Sequence, residues 1–283
     1  MTADLNQSTS PVERWALEAD EIRSITERFR LVGRRFVVLG GGRGMGRHAA
    51  HALAELGADV VIVDSDLDRA EEVAAAIPGA VARAVDATSD AGIAALAEEA
   101  GRIDGVVDVI GIARYASLLE VSEQDWNWEH DIVLRHAWLA LRHFGRRLAA
   151  QGSGSFTFVA SVSGISSSPG HGAYGAFKAG LVSLVRTAAV ELGPQGVRVN
   201  AVAPGFVLTP RMVGALDEQQ VARGRAAGPL PVLTTPSDIA AGITFLASDL
   251  ASSVTGQTLV IDAGATVSYP YAMDGIDSST DNA

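Results

Sequence analysis

Cysteine is absent from the 283 residues, so neither a disulfide nor a thiolate metal ligand is available, and the chain suits a reducing compartment. Aromatic residues make up only 6%, which leaves Ala, Val, Leu and Ile to build the core. No run of Lys and Arg offsets the formal net charge of -11; such a surface repels a phosphate backbone and removes nucleic acid from the expected partners. No stretch reaches the ~18 consecutive apolar residues of a membrane span, and residues 1–30 lack the basic and then apolar pattern of a secretion signal. The expectation is a cytoplasmic protein with no membrane partner.

What is present is an alternation. The chain is 48% hydrophobic and 19% charged, with 30 glycines, a balance typical of α/β enzymes. The short β-branched runs RFVVLG, ADVVIVD, AVARAVD, GVVDVIG, GSFTFVA, VRVNAVAP and QTLVIDAG are separated by Ala- and Leu-rich segments of helical spacing. Strands without polar alternation are buried on both faces, so the rhythm predicts one doubly wound parallel sheet of about seven strands with helices on each side. Ligands of such a sheet sit at the carboxyl ends of its strands. The domain is expected over 31–264. It follows an extension, 1–30, whose first ten residues are polar and whose remainder, Pro11 to Arg30, reads as an amphipathic helix carrying Trp15, Leu17, Ile22, Ile25 and Phe29. A polar tail, 265–283, ends the chain.

The first strand runs into GGGRGMG, where Gly40, Gly44 and Gly46 are spaced Gly-x-x-x-Gly-x-Gly ahead of a helix. Glycines there allow a tight turn and close approach of a pyrophosphate, whose charge meets free N–H groups and the positive helix end. Asp64 ends the second strand, 18 residues beyond Gly46, the usual distance for a carboxylate that holds the adenosine ribose diol and repels a 2′-phosphate. The cofactor expected is therefore NAD, although Arg43 and Arg69 soften that repulsion. Asp86, ending the third strand, is placed to reach the adenine amino group or to cap the next helix. Arg43, Met45 and Ala87 complete the set expected along the dinucleotide.

Ser161 follows the fifth strand, and Tyr174 and Lys178 lie four apart, one helical turn, at the start of an apolar helix. With the glycine turn, Asp64 and the later APGFVLTP, this set resembles the short-chain dehydrogenase/reductase family over about residues 31–264. The resemblance implies a single-domain Rossmann-type fold and hydride exchange between NAD and an alcohol or ketone. Tyr174 would be the general acid/base, Lys178 the cation that acidifies it and bonds the nicotinamide ribose, and Ser161 the holder of the substrate oxygen. A tyrosine of pKa ~10 needs about 4 kcal/mol to reach ~7; an ammonium ~5 Å away gives roughly 3 at a dielectric of ~20, and a positive nicotinamide adds to it. Pro204 and Gly205 would shape the turn beside nicotinamide, Val207 would offer its backbone and Thr209 its hydroxyl, with 210–235 as substrate lid. The family's pairing through two long helices, here within 122–150 and 171–193, implies a homodimer or homotetramer.

Three positions depart from the family pattern. Leu39 stands where a threonine precedes the first glycine. Asp108-Val109-Ile110-Gly111 replaces Asn-Asn-Ala-Gly and keeps only Gly111, the glycine that admits the adenosine ribose. Val133 replaces the helix asparagine that orders a water for proton relay, and no asparagine follows between Trp128 and Ala150. His136, one turn on, is a candidate to order that water instead; otherwise it, His130 and His143 belong to a helix packed on another subunit. His171 precedes Tyr174 and is a candidate for the pocket wall. His48 and His51 have helical ligand spacing but no carboxylate partner, so no metal is expected. The substrate expected is a small alcohol or ketone, hydrophobic or cyclic. A non-redox net reaction on the same site, such as epimerisation or dehydration, and a non-catalytic NAD-binding module are the alternatives.

Overall fold

Seven apolar runs form seven strands in one parallel sheet of order β3-β2-β1-β4-β5-β6-β7. The computed structural model describes residues 21–267 except 215, together with residues 12 and 19. The strands are β1 Arg35–Leu39, β2 Asp59–Asp64, β3 Val81–Ala84, β4 Gly105–Asp108, β5 Gly154–Val159, β6 Val197–Pro204 and β7 Thr258–Ile261. Among the described residues the helices are α1 Ile25–Phe29, α2 Gly44–Glu55, α3 Leu67–Ala75, α4 Asp90–Glu99, the long α5 over 123–151, α6 Gly172–Leu192, the short α7 Pro210–Val213, α8 Glu218–Arg225 and α9 Pro236–Ala247.

The two-residue period of a strand divides β1 between two cores. Val37 and Leu39 pack with Ile93, Phe144, Phe156 and Leu181 under α4, α5 and α6. Phe36 and Val38 face the other way, with Leu53, Val73, Ile239 and Ile243 of α2, α3 and α9. Both faces are covered, which is why these strands carry no polar alternation. Each buried Phe, Leu or Ile contributes roughly 1.5–3 kcal/mol by leaving water. The helix starts are specified locally: side chains of Asp66, Ser89 and Ser122 accept backbone N–H bonds at the starts of α3, α4 and α5, and Thr235 with Asp238 forms a reciprocal box at α9.

The order reverses between β1 and β4, which lie side by side with Leu39 opposite Asp108. The turns leaving these two strands therefore open a crevice at the carboxyl edge of the sheet. The expected helix over 11–30 falls largely outside the described residues, and within them it is not continuous: 21–24 is not helical, Ile22 of the expected apolar stripe is exposed, and the Ser24 side chain caps a separate short helix, α1, by accepting the Glu27 N–H. Arg28 of α1 reaches the Asp249 carbonyl at 2.7 Å and Ser252 at 3.0 Å. The tail from residue 268 also lies outside the described residues. Helix α5 holds a feature that its spacing did not announce. Residues Asp131–Arg135 and Leu141–Gly145 are π-helical. Each wide turn absorbs an extra residue, and Val133, His136, Ala137, Ala140 and Phe144 are all buried along this helix.

Candidate active site

The glycine turn is built by contacts no other residue tolerates. Gly40 has φ +79° and, with Gly41, donates its N–H to the Val63 carbonyl at 2.8 and 2.9 Å. A Cβ on Gly46 would stand 2.0 Å from the Gly40 carbonyl oxygen, so helix and turn touch backbone to backbone. Arg43, at the cap of α2, is extended and its side chain makes no capping bond. The first N–H groups of the helix thus remain available to an anion. Asp64 is 9% exposed and accepts N–H bonds from Gly42 and Asp66, both at 3.2 Å, one on each oxygen. Each oxygen keeps capacity for a further donor.

Gly40, Arg43, Gly44, Met45, Gly46, Asp64, Asp86, Ala87, Gly111 and Thr209 line one cavity of about 500 Å³. Its far end is walled by Ile112, Ile132 and Arg211. Asp86 spends one oxygen on the N–H and hydroxyl of Thr88 at 2.9 and 2.7 Å, while Ser89 caps α4, so Asp86 is not the helix cap. Of the two arginines near Asp64, Arg69 is paired with Asp66 at 3.1 Å. Thr209 accepts the Met212 N–H at 3.3 Å as cap of α7, and its hydroxyl proton remains to donate. Val207 is bridged to Thr234 at the two ends of the intervening segment, with Leu208 N–H to the Thr234 carbonyl at 3.0 Å, and Gly205 donates to the Ile261 carbonyl at 3.0 Å, fixing the turn begun by Pro204.

Ser161, Tyr174 and Lys178 converge beyond Gly111. Ser161 accepts the Ser163 N–H at 3.1 Å, and its hydroxyl favours the ionised form of the Tyr174 phenol. Lys178 is 1% exposed; its Nζ donates to the Val159 carbonyl at 2.6 Å and lies 5.7 Å from the centre of the Tyr174 ring. Gly111, at φ +156°, makes room for it, since a Cβ there would stand 2.7 Å from Nζ. Lys178 is also the only lysine of the chain, a count the motif reading passed over.

The acid–base balance differs from the Coulomb expectation. Burial pushes the Tyr174 phenol well above the ordinary tyrosine range, with Ser161 pulling it back and Tyr115 and Glu129 raising it further. Burial likewise lowers Lys178 to about 8, against the opposing charge of Asp108. An estimate from one charge pair omits the cost of removing both groups from water, and here that cost dominates.

The pattern's departures are resolved individually. Leu39 and Val133 are fully buried apolar residues. His136 is 1% exposed and bonded to Asp108, so it faces the sheet rather than a neighbouring subunit. His143 pairs with Asp90 at 2.8 Å and His48 with Ser237 at 3.0 Å; among the described residues no metal-binding cluster occurs. His171 bonds Ser163 at 2.8 Å and its ring lies 4.7 Å from that of Tyr115. Tyr115 and the fully buried Glu129, whose carboxylate accepts the Arg114 N–H, were not singled out by any motif.

A family model described as enoyl-(acyl carrier protein) reductase matches residues 40–266. The cis-4-hydroxycyclohexanecarboxylate dehydrogenase of Sinomonas cyclohexanicum is 39% identical over 239 residues, 81% of this chain and 95% of the relative. The chain belongs to the short-chain dehydrogenase/reductase family. The D-threitol dehydrogenase of Mycolicibacterium smegmatis is 36% identical, with 88% and 99% covered. Among solved structures, a 7α-hydroxysteroid dehydrogenase complexed with NADH and 7-oxo glycochenodeoxycholic acid superposes with a TM-score of 0.82 at 27% identity, over 86% of this chain and 98% of that one. A Beutenbergia cavernae protein with NADP at low occupancy gives 0.80 at 37%, over 85% and 100%. This short-chain dehydrogenase/reductase is thus an oxidoreductase of the group acting on alcohols and ketones, and its family binds nicotinamide cofactors. No described helix is long and apolar enough to cross a membrane.

Proposed function

We propose that the protein interconverts a secondary alcohol and a ketone with NAD, Tyr174 serving as general acid/base. The observation that carries this reading is the convergence of Ser161, Tyr174 and Lys178 beside Gly111, at the rim of the cavity lined by the glycine turn and Asp64. The residues fit a dinucleotide: the uncapped start of α2 would meet its pyrophosphate, Asp64 its ribose diol, and Lys178 the second ribose. When bound, the nicotinamide supplies the hydride acceptor or donor, and its positive oxidised form favours the phenolate. Ser161 donates a hydrogen bond to the substrate oxygen as charge develops there. Tyr174 takes the hydroxyl proton in oxidation and returns it in reduction. Lys178 opposes the charge gained by the phenol.

The loops at this end of the sheet carry exposed Leu118, Leu119, Ile165, Leu230 and Val232, together with the Tyr115–His171 ring pair. Such a mouth suits an apolar or cyclic alcohol. A homodimer or homotetramer in the cytoplasm completes the reading; exposed Trp138 and the groove of about 530 Å³ between α5 and α6 support the subunit contact.

Absorbance at 340 nm with a panel of cyclic and acyclic alcohols, NAD and NADP side by side, tests the reading. NADH accumulation supports it. Tight dinucleotide binding with no redox turnover in either direction would overturn it. A 2′-phosphate beside the Asp64 carboxylate meets about 3 kcal/mol of repulsion per unit charge at ~5 Å and a dielectric of ~20. NAD is therefore expected to exceed NADP in kcat/KM by ~10²-fold, and Asp64→Ser to erase most of that ratio.

A further inference from the structure

A buried acid and imidazole lie next to the proposed reacting residues without belonging to them. Asp108 ends β4 and His136 lies in α5; each side chain is 1% exposed, and Nε2 stands 3.1 Å from Oδ1. A carboxylate only accepts, so the imidazole carries its hydrogen on Nε2. The same Oδ1 accepts the Ile110 N–H at 3.0 Å. Among the described residues Asp108 Oδ2 and His136 Nδ1 have no hydrogen-bond partner. A carboxylate so enclosed is expensive unless a cation stands near it.

Lys178 is a cation that feels this carboxylate through space rather than as a contact ion pair, its Nζ being bonded to the Val159 carbonyl. Its Nζ packs against Gly111, three residues beyond Asp108, and Asp108 is the charge that favours its ammonium. The titratable groups facing that ammonium are Asp108 from β4, His136 behind it on α5, and Tyr174 from its own helix. Glu129 of α5 and Tyr115 act on Tyr174. We propose that Asp108, oriented by His136, is the counter-charge of Lys178: a positioning pair that keeps the ammonium protonated beside Tyr174 across the working pH range. The pairing belongs to the free protein; only its effect on turnover rests on the function proposed above.

The single lysine makes the test direct. Protein labelled with 15N and 13C at lysine gives one side-chain signal, that of Lys178, to be titrated without cofactor. The wild-type midpoint is expected near 8. Asp108→Asn keeps the acceptor and removes the charge, and should lower the midpoint by at least about one pH unit, the effect of a close opposite charge; Asp108→Ser, measured alongside, should do the same. His136→Gln, whose amide restores the donor, should return the wild-type midpoint. An unchanged or raised lysine midpoint in the neutral variants overturns the pairing.

Turnover separates the two readings. If both hold, the alkaline limb of the Asp108→Asn pH–rate profile moves acidward by the shift seen in the lysine signal. A lysine shift with turnover indifferent to Tyr174→Phe leaves the pairing standing and removes the acid–base assignment. No lysine shift, with Tyr174→Phe inactive, does the reverse.

Discussion

Tyr174→Phe is expected to cut kcat by ~10³-fold in both directions, within the range typical of a lost general acid/base, with a far smaller effect on dinucleotide affinity. The ring and its packing survive the change; only the proton-carrying oxygen goes. The pH dependence gives a second check. Tyr174 is raised by burial, so its base form grows only as pH rises, and alcohol oxidation should climb from neutral toward alkaline pH. Lys178, at about 8 in the free protein, sheds its charge as pH rises through that value, which ends the climb and gives a bell. Ketone reduction uses the protonated phenol and should be near its maximum already at neutral pH. Because the lysine of the free protein titrates first, Tyr174 should ionise at lower pH with oxidised dinucleotide bound than without. The wild-type minus Tyr174→Phe difference spectrum of phenolate absorbance measures that shift.

Gly46→Ala should be nearly as damaging by a different route. The added methyl would sit 2.0 Å from the Gly40 carbonyl oxygen and 2.8 Å from a Val109 methyl. The nearest atom belongs to backbone and no rotamer relieves the contact, so the turn and α2 must separate. Overpacking of this kind costs up to about 3 kcal/mol, and the loss falls on the N–H groups proposed to meet the pyrophosphate. Cofactor Kd should rise by ~10²-fold, read by calorimetry or protein fluorescence, together with a lower thermal midpoint. Wild-type affinity in Gly46→Ala would show that the turn is not the cradle.

The sheet was legible because its signal is local. VVIVD and FVVL are short, unalternating and β-branched, and each is followed by a turn-forming residue and a helical spacing. The site motifs were legible for the same reason: Gly40 to Gly46 and Tyr174 to Lys178 are read within one turn and one helix. What escaped depends on contacts between distant parts of the chain. Asp108 read as a departure and His136 as a candidate water ligand or a subunit-facing residue, and nothing within either segment says that a helix returning 28 residues later will pair them. Nothing in the polar segment around Glu129 marks it, yet it is sealed beneath the Arg114 backbone. The π-helical turns of α5 leave no periodic trace, since a single widened turn shifts the phase only once. The burial that raises Tyr174 in the free protein has no local trace, because desolvation is set by the whole surrounding fold, whereas the ammonium can be read four residues away.

Positive charge on this chain is carried almost wholly by guanidinium, and the one side-chain amine is enclosed by protein. Reagents and modifying enzymes that acylate lysine thus find a single address, and it opens only when the fold around residue 178 loosens. Lysine-directed labelling that decorates the exterior of most proteins would here report breathing of the interior, and under the proposed function a bound dinucleotide would slow it.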